Sequence, residues 1–299
     1  MSVKISVQLC TFNRKDLLKR SLEALFRLDF PASDYEIVLV DDGSSDGTRE
    51  MVKALDPPCR LKYLRRPNSG LAAGRNLGIR CSEGEIILFI DDDIIADPGL
   101  LREHLASHER DPACVIMGRV CHVNNLDCDL RPRFRLANLS TSFFWTSNAS
   151  VGKRHLEAAG MFDEDFREYG WEDIEMGFRL RDLGLDRRLN SRAVVYHYKS
   201  AWRASDLPRL FRRAQASGRS AGVLLRKRPC TRVRLSTGVF RARFALNDIL
   251  LRCEPFLCDR IAKRPGDAEL SGLSLLSARL LVSFKYFEAA NGRGKGKRK

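Results

Sequence analysis

Ile86-Ile87-Leu88-Phe89-Ile90 are five apolar side chains in a row, and Asp91-Asp92-Asp93 follow without a break. An apolar run of this length reads as a strand covered on both faces, the situation of a parallel sheet between helix layers. The chain around it alternates to match. Residues 3–9, 36–40, 60–64 and 85–90 read as strands, and 16–28, 46–55 and 71–80 as the helices between them. Asp16 is placed to cap the first helix, and Asp97-Pro98 to open a later one with Asp as N-cap and Pro at the first helical position. Strands alternating with helices predict an α/β chain with a doubly wound, mostly parallel sheet flanked by helices. Its crossovers are right-handed and its ligands bind at the carboxyl ends of the strands.

The second half is less regular. Residues 115–123, 142–145 and 193–198 read as strands, and 153–159 and 172–183 as helices, the latter anchored by Ile174, Phe178, Leu180 and Leu183. Beyond residue 201 the pattern turns helical, Leu-rich and basic. The expected organisation is a domain over 1–202, divided near 97 into two halves. A basic helical region over 203–291 and a disordered basic tail over 292–299 follow it.

Charge sharpens that division. The 299-residue chain has a formal net charge of +14, yet residues 203–299 hold 23 Lys+Arg against 7 Asp+Glu, so the positive excess lies entirely in the last third. Such asymmetry points to an anionic surface as partner. The stretch 208–228, with Arg209, Arg212, Arg213, Arg219, Arg226, Lys227 and Arg228 among Leu and Phe, suits a basic amphipathic helix on an anionic membrane. Nucleic acid is not expected, because only Phe211 could serve there as a stacking platform. No run reaches the roughly 18–20 apolar residues that span a bilayer. The nine cysteines are odd in number and include no C-x-x-C pair, so reduced thiols and a cytoplasmic or inner-face peripheral location are expected.

The acids carry the chemistry. Asp41-Asp42 close one predicted strand and Asp91-Asp92-Asp93 another, which in a parallel sheet brings both sets to one edge. Asp42, Ser44, Asp46 and Gly47 imitate a calcium loop, but position twelve is Lys53 where a bidentate Glu is needed. Cys10-Thr11-Phe12-Asn13-Arg14 lacks the glycines of a dinucleotide fingerprint. Glu172-Asp173 open a helix whose dipole keeps a carboxylate ionised and able to accept a proton. Trp171 beside them is either a core ring or a platform for a sugar face. His197 ends a strand, and carboxylates with imidazole suit manganese.

In this order, Cys10-Thr11-Phe12-Asn13-Arg14, Val40-Asp41-Asp42-Gly43-Ser44, Gly74-Arg75-Asn76-Leu77-Gly78, Phe89-Ile90-Asp91-Asp92-Asp93, Ser147-Asn148, Gly160-Met161-Phe162-Asp163-Glu164 and Trp171-Glu172-Asp173 resemble the elements of the family 2 glycosyltransferases. The resemblance implies the GT-A fold, a nucleotide-diphosphate sugar donor, a divalent metal (Mn²⁺ or Mg²⁺) and inversion at the anomeric carbon. It implies that Asp42 bonds the nucleotide base, that Thr11 and Asn13 line the nucleotide pocket, and that Arg75 reaches the base or the diphosphate. Asp91 and Asp92 would meet ribose or metal, with Asp93 and His197 as metal ligands beside Asp91. Asp173 would be the general base, with Asn148, Trp171 and Glu172 shaping the acceptor site. The acceptor is then a glycan or lipid-linked glycan hydroxyl in cell-surface polysaccharide or glycolipid assembly. The competing reading is a non-catalytic GT-A-like scaffold whose basic region binds membrane or RNA.

Overall fold

The computed structural model describes residues 3–126, 130, 142–263 and 267–292. Eight strands form one sheet: β1 (Ile5–Thr11), β2 (Tyr35–Asp41), β3 (Arg60–Arg65), β4 (Ile86–Ile90), β5 (Ile94–Ala96), β6 (Cys114–Val123), β7 (Asn148–Gly152) and β8 (Asp186–Tyr198). Their order across the sheet is β3-β2-β1-β4-β7-β6-β8-β5. The β3-β2-β1-β4 half is wholly parallel, as the alternation with helices α1 (Lys15–Leu25), α2 (Thr48–Lys53) and α3 (Leu71–Cys81) requires. β7 then runs antiparallel between β4 and β6, and β5 antiparallel to β8, so the sheet as a whole is mixed.

β4 is buried on both faces. Ile86, Leu88 and Ile90 join the cluster of Ile5, Val7, Leu9, Leu18 and Leu22, while Ile87 and Phe89 join that of Phe144, Phe162, Met176 and Leu180. This alternation is the period-two geometry of a strand between two apolar layers. Close helix–sheet packing comes from small residues in α3. A Cβ at Gly78 would lie 2.6 Å from Gln8 and one at Gly74 3.2 Å from Cys10 Sγ, both on β1.

Several local expectations are corrected. Helix α1 begins at Lys15 with Arg14 in the capping position, so Asp16 sits in the first turn and favours the dipole rather than capping. Asp97-Pro98 does not open α4 (Leu100–Arg110). Asp97 Oδ1 instead accepts from the Gly99 N–H at 3.0 Å, a side-chain turn that sets the helix start two residues later. Residues 142–145 are not a strand. Phe144 is apolar because its ring packs edge-on against Phe89 at 5.6 Å, and the strand of this region is β7. In α6 (Glu172–Asp182) the buried apolar residues are Met176 and Leu180, whereas Leu183 lies past the helix end and is exposed. β8 begins at Asp186, far upstream of 193, because its first half is polar and carries no hydropathy signal.

The chain divides into two compact units, one of Met1–Glu164 with Glu172–Lys199, the other of Asp165–Trp171 with Ser200–Lys299. The first holds the sheet, α1–α4, α5 (Lys153–Ala158) and α6. The second is helical: α7 (Leu207–Lys227), α8 (Thr231–Thr237), α9 (Arg241–Leu250), α10 (Glu254–Ala262) and α11 (Gly272–Ala290). Its core gathers Leu257, Ile261, Leu270, Ala278, Leu281 and Phe284. Among the described residues no helix is long and apolar enough to cross a membrane. Of the tail 292–299, expected to be disordered, residues 293–299 lie outside the described residues.

Candidate active site

Because β2, β1 and β4 are parallel neighbours, their carboxyl ends share one edge. That edge brings Thr11, Asp41-Asp42 and Asp91-Asp92-Asp93 together, and the three consecutive acids separate into two roles. Asp92 turns toward β1: its Oδ2 accepts from Thr11 Oγ1 at 2.8 Å and its Oδ1 from Arg14 Nη1 at 2.7 Å. Burial pushes the Asp92 carboxyl up to about 6, against the pull of Arg14 and Thr11. Asp91 faces β8, and Asp93 bridges the two sides, its Oδ2 accepting from Arg14 Nη2 at 2.7 Å and its Oδ1 facing β8. Pairing of Ile94 with His197 across β5 and β8 sets that imidazole beside them. His197 Nε2 lies 2.8 Å from Asp93 Oδ1 and 3.8 Å from Asp91 Oδ2. Burial alone would raise Asp93, but His197 and the Arg14 guanidinium hold it well below the usual carboxylate range.

One ligand atom each from Asp91, Asp93 and His197 falls within 4.8 Å of the others. Two hard carboxylates and one borderline imidazole converging at this distance fit Mn²⁺ or Mg²⁺. Ser147 Oγ donates to Asp91 Oδ2 at 2.5 Å and so orients that carboxylate. His122 packs against His197, ring to ring at 5.5 Å.

The other expected residues fall into three groups. Asp42 accepts from the Ser69 and Gly70 N–H groups, both at 3.1 Å, and burial raises its carboxyl above the ordinary value despite them. Asn13 is exposed, holds a left-handed φ of 52°, and clasps the β2–α2 loop through Ser45 N–H to Oδ1 at 2.8 Å. Asn and Asp are the non-glycine residues that most readily adopt that conformation.

Arg75, expected to reach the base or the diphosphate, is directed toward α6. It is buried, donating from Nη1 to Glu172 Oε1 at 2.5 Å and from Nη2 to Thr146 Oγ1 at 2.7 Å, with its guanidinium 5.2 Å from the Phe162 ring centre. The reason is the tight seating of α3 on β1, which turns this side chain toward α6. Asn148, expected to help shape the acceptor site, is held within the protein. It is fully enclosed on β7, with Oδ1 against His104 Nε2 at 2.9 Å and Nδ2 donating to the Arg119 and Ala193 carbonyls. Its side-chain oxygen is used against α4 and its side-chain nitrogen inside the sheet.

At the start of α6, Glu172 is buried with Oε2 lacking a hydrogen-bond partner, and the Ile174 N–H donates to Asp173 Oδ1 at 2.7 Å. Asp173 keeps part of its surface exposed. The protein packed around its carboxyl, helped by the Glu172 charge, pushes it up to about 7 against Arg75. Asp91 also contributes to that rise, which places the two carboxylates within electrostatic reach. Trp171 belongs to the helical unit. Its indole N–H donates to the Ser217 carbonyl at 3.0 Å and its φ is 76°, a conformation that strains a bulky residue.

Arg14, Thr146 and Ser147 are site residues that sequence reasoning assigned no role. Arg14 and Ser147 stand inside quoted motifs, but their partners lie 78 or 79 and 56 positions away, which no local pattern shows.

The family model described as Glycosyl transferase family 2 matches residues 6–158, half of the chain. Validoxylamine A glucosyltransferase of Streptomyces hygroscopicus subsp. jinggangensis (strain 5008) is 32% identical over 219 residues, covering 60% of this chain and 52% of that protein. Chondroitin synthase of Escherichia coli is 25% identical over 253 residues, 69% of this chain and 36% of the synthase. The chain thus spans about half the length of the validoxylamine relative and less of the synthase. Among solved structures, a mannosyltransferase from Pyrobaculum calidifontis in complex with GDP-Man and Mn²⁺ aligns over 100% of this chain and 89% of its own, with a TM-score of 0.66 at 18% identity. Residues 1–349 of Staphylococcus aureus TarS in complex with UDP align over 99% and 93%, with a TM-score of 0.56 at 19% identity. These likenesses establish the GT-A fold.

Proposed function

Because the chain belongs to glycosyl transferase family 2, we propose that it moves a sugar from a nucleotide-diphosphate donor to a glycan or lipid-linked hydroxyl, with inversion at the anomeric carbon. One observation carries the reading. A carboxylate–imidazole cluster of Asp91, Asp93 and His197 stands at the carboxyl edge of the sheet, within electrostatic reach of a separate carboxylate, Asp173, raised to about 7. The cluster suits the diphosphate end of a donor and the lone carboxylate suits the acceptor end.

Asp91, Asp93 and His197 would hold Mn²⁺ or Mg²⁺, which when bound supplies Lewis acidity toward the departing diphosphate. Asp42, Asn13 and Thr11 would line the nucleotide pocket, and Asp92 would reach ribose once its contact with Arg14 loosens. Asp173, deprotonated, would take the proton of the acceptor hydroxyl as its oxygen attacks the anomeric carbon from the face opposite the leaving group. Arg75 would fix Glu172 and so keep Asp173 in place. The relatives named as polysaccharide synthases support a polymer or its lipid-linked precursor as acceptor. The positive charge of residues 203–299 supports a peripheral position on the inner face of a membrane.

A thermal-shift screen of nucleoside diphosphates with and without Mn²⁺ tests the reading. A metal-dependent rise in Tm for one base is expected. No response to any base would overturn it. Donor hydrolysis surviving unchanged in Asp173→Asn would favour the scaffold reading or another base.

A further inference from the structure

The helical unit exposes apolar side chains that its own packing does not use. Of the eleven large hydrophobic residues exposed among the described residues, five lie in one short stretch: Leu235, Phe240, Leu246, Ile249 and Phe256. Helix α9 is the clearest case. Its inward side carries Asn247, its one buried residue, and Phe244, whose ring meets Phe287 edge-on at 6.0 Å. At about 100° per residue, Ala242, Ala245, Leu246 and Ile249 fall on the opposite side. Leu246 is 43% and Ile249 60% exposed. A helix with a buried amide and outward aliphatics inverts the ordinary surface pattern.

The charge along this stretch is predominantly positive, with Asp248 the one acid on α9. Arg232, Arg234, Arg241 and Arg252 are exposed and have no ion-pair partner among the described residues. The nearby acids Glu254 and Asp259 are taken by Lys285 and Lys263. Helix α7 is the opposite case. Its apolar face, with Leu210, Ala214, Ala221 and Leu224, is buried, and Gly218 lets α11 approach so closely that a Cβ there would lie 2.2 Å from the Tyr286 carbonyl. Several of its cations are already paired within the unit, Arg209 with Asp206, Arg219 with Glu168 and Lys227 with Asp165. The surface left for an outside partner is therefore not the stretch 208–228 that the charge pattern favours, but the helices that follow it.

We infer that the α8–α10 surface docks this chain on an anionic lipid bilayer, with Leu246, Ile249 and their neighbours entering the headgroup boundary and the arginines meeting lipid phosphates. Aliphatic side chains flanked by unpaired arginines match that interface. A nucleic acid would stack on the exposed Phe240 and Phe256 but leave the aliphatic Leu246 and Ile249 unused. A second copy placed symmetrically would oppose like charges. The inference deepens the peripheral membrane position proposed above and is independent of the glycosyl-transfer chemistry, because no residue of the carboxylate site takes part in it.

The test is co-sedimentation of the full chain with vesicles of phosphatidylcholine alone or mixed with phosphatidylglycerol. Binding to the mixed vesicles, weakened by salt, is expected. L246E/I249E is expected to lower the partition coefficient about tenfold or more, with the melting temperature and donor response kept. Arg212→Glu on α7 serves as a charge-matched control and is expected to change it far less. If the double variant melts early, Arg234→Glu/Arg241→Glu replaces it with the same expectation. Absence of binding to mixed vesicles overturns the inference. So does equal binding by L246E/I249E, which would mark plain attraction to any polyanion. A wild-type chain that self-associates through this face, becomes monomeric in L246E/I249E and ignores vesicles overturns it as well.

Discussion

At the residue scale, the proposed chemistry depends on two carboxylates whose surroundings push them apart. Asp93 is held ionised by His197 and Arg14, while Asp173 is raised to about 7 by the protein around it and by Glu172. Asp173→Asn should lower turnover by about 10²–10⁴-fold, the usual worth of a positioned base, while the nucleotide-dependent thermal shift persists. The sign of the pH effect follows from the same group. A base must be unprotonated, so kcat/KM should rise with pH through about 7 and flatten above it, and an acid limb below about 5 would assign the role to another group. The effect on stability runs the other way. The folded value lies above the ordinary 3.8, so the native state binds the extra proton and loses this contribution as pH rises between them. Arg75 is a different kind of residue. Arg75→Met leaves Glu172 charged and buried with one oxygen already unpartnered, and should cost about 3–5 kcal/mol in denaturant unfolding.

At the element scale, close approach of backbones decides more than hydropathy. α7 and α11 touch at Gly218, where an added Cβ meets a backbone carbonyl that cannot swing away. Gly218→Ala should therefore destabilise the helical unit by about 1–3 kcal/mol, the cost of overpacking, although alanine is the better helix former. A stability gain in thermal unfolding would show that the two helices separate freely. β7 makes the same point within the sheet. Asn148 sits where the sheet passes from parallel to antiparallel pairing, and its amide bridges β6, β8 and His104.

At the scale of the whole molecule, folding and ligand binding are linked through the metal cluster. Chelation with EDTA should abolish the nucleotide-dependent rise in Tm, and restoring Mn²⁺ should return it. At a ligand concentration of about 100 Kd the stabilisation is about 2.7 kcal/mol. A shift indifferent to EDTA would mean that Asp91, Asp93 and His197 hold no cation needed for nucleotide binding.

The period-two burial of residues 86–90, the helix–strand alternation of residues 3–90 and the acids at two strand ends were legible from the sequence, because each is written in neighbouring residues. So was the charge division near residue 200. What only the tertiary structure decided is which partners distant residues choose. Asp92 turns to Thr11 and Arg14, Asp93 is shared between Arg14 and His197 with Asp91 beside it, Arg75 turns inward to Glu172, and Asn148 disappears into the sheet. The charge pattern pointed to α7 for an outside surface, but α11 covers the apolar face of that helix and leaves the aliphatic stripe of α9 exposed. Hydropathy and charge record what a side chain tolerates. The pairing of strands and the seating of helices determine which group it meets, and those contacts link residues tens of positions apart.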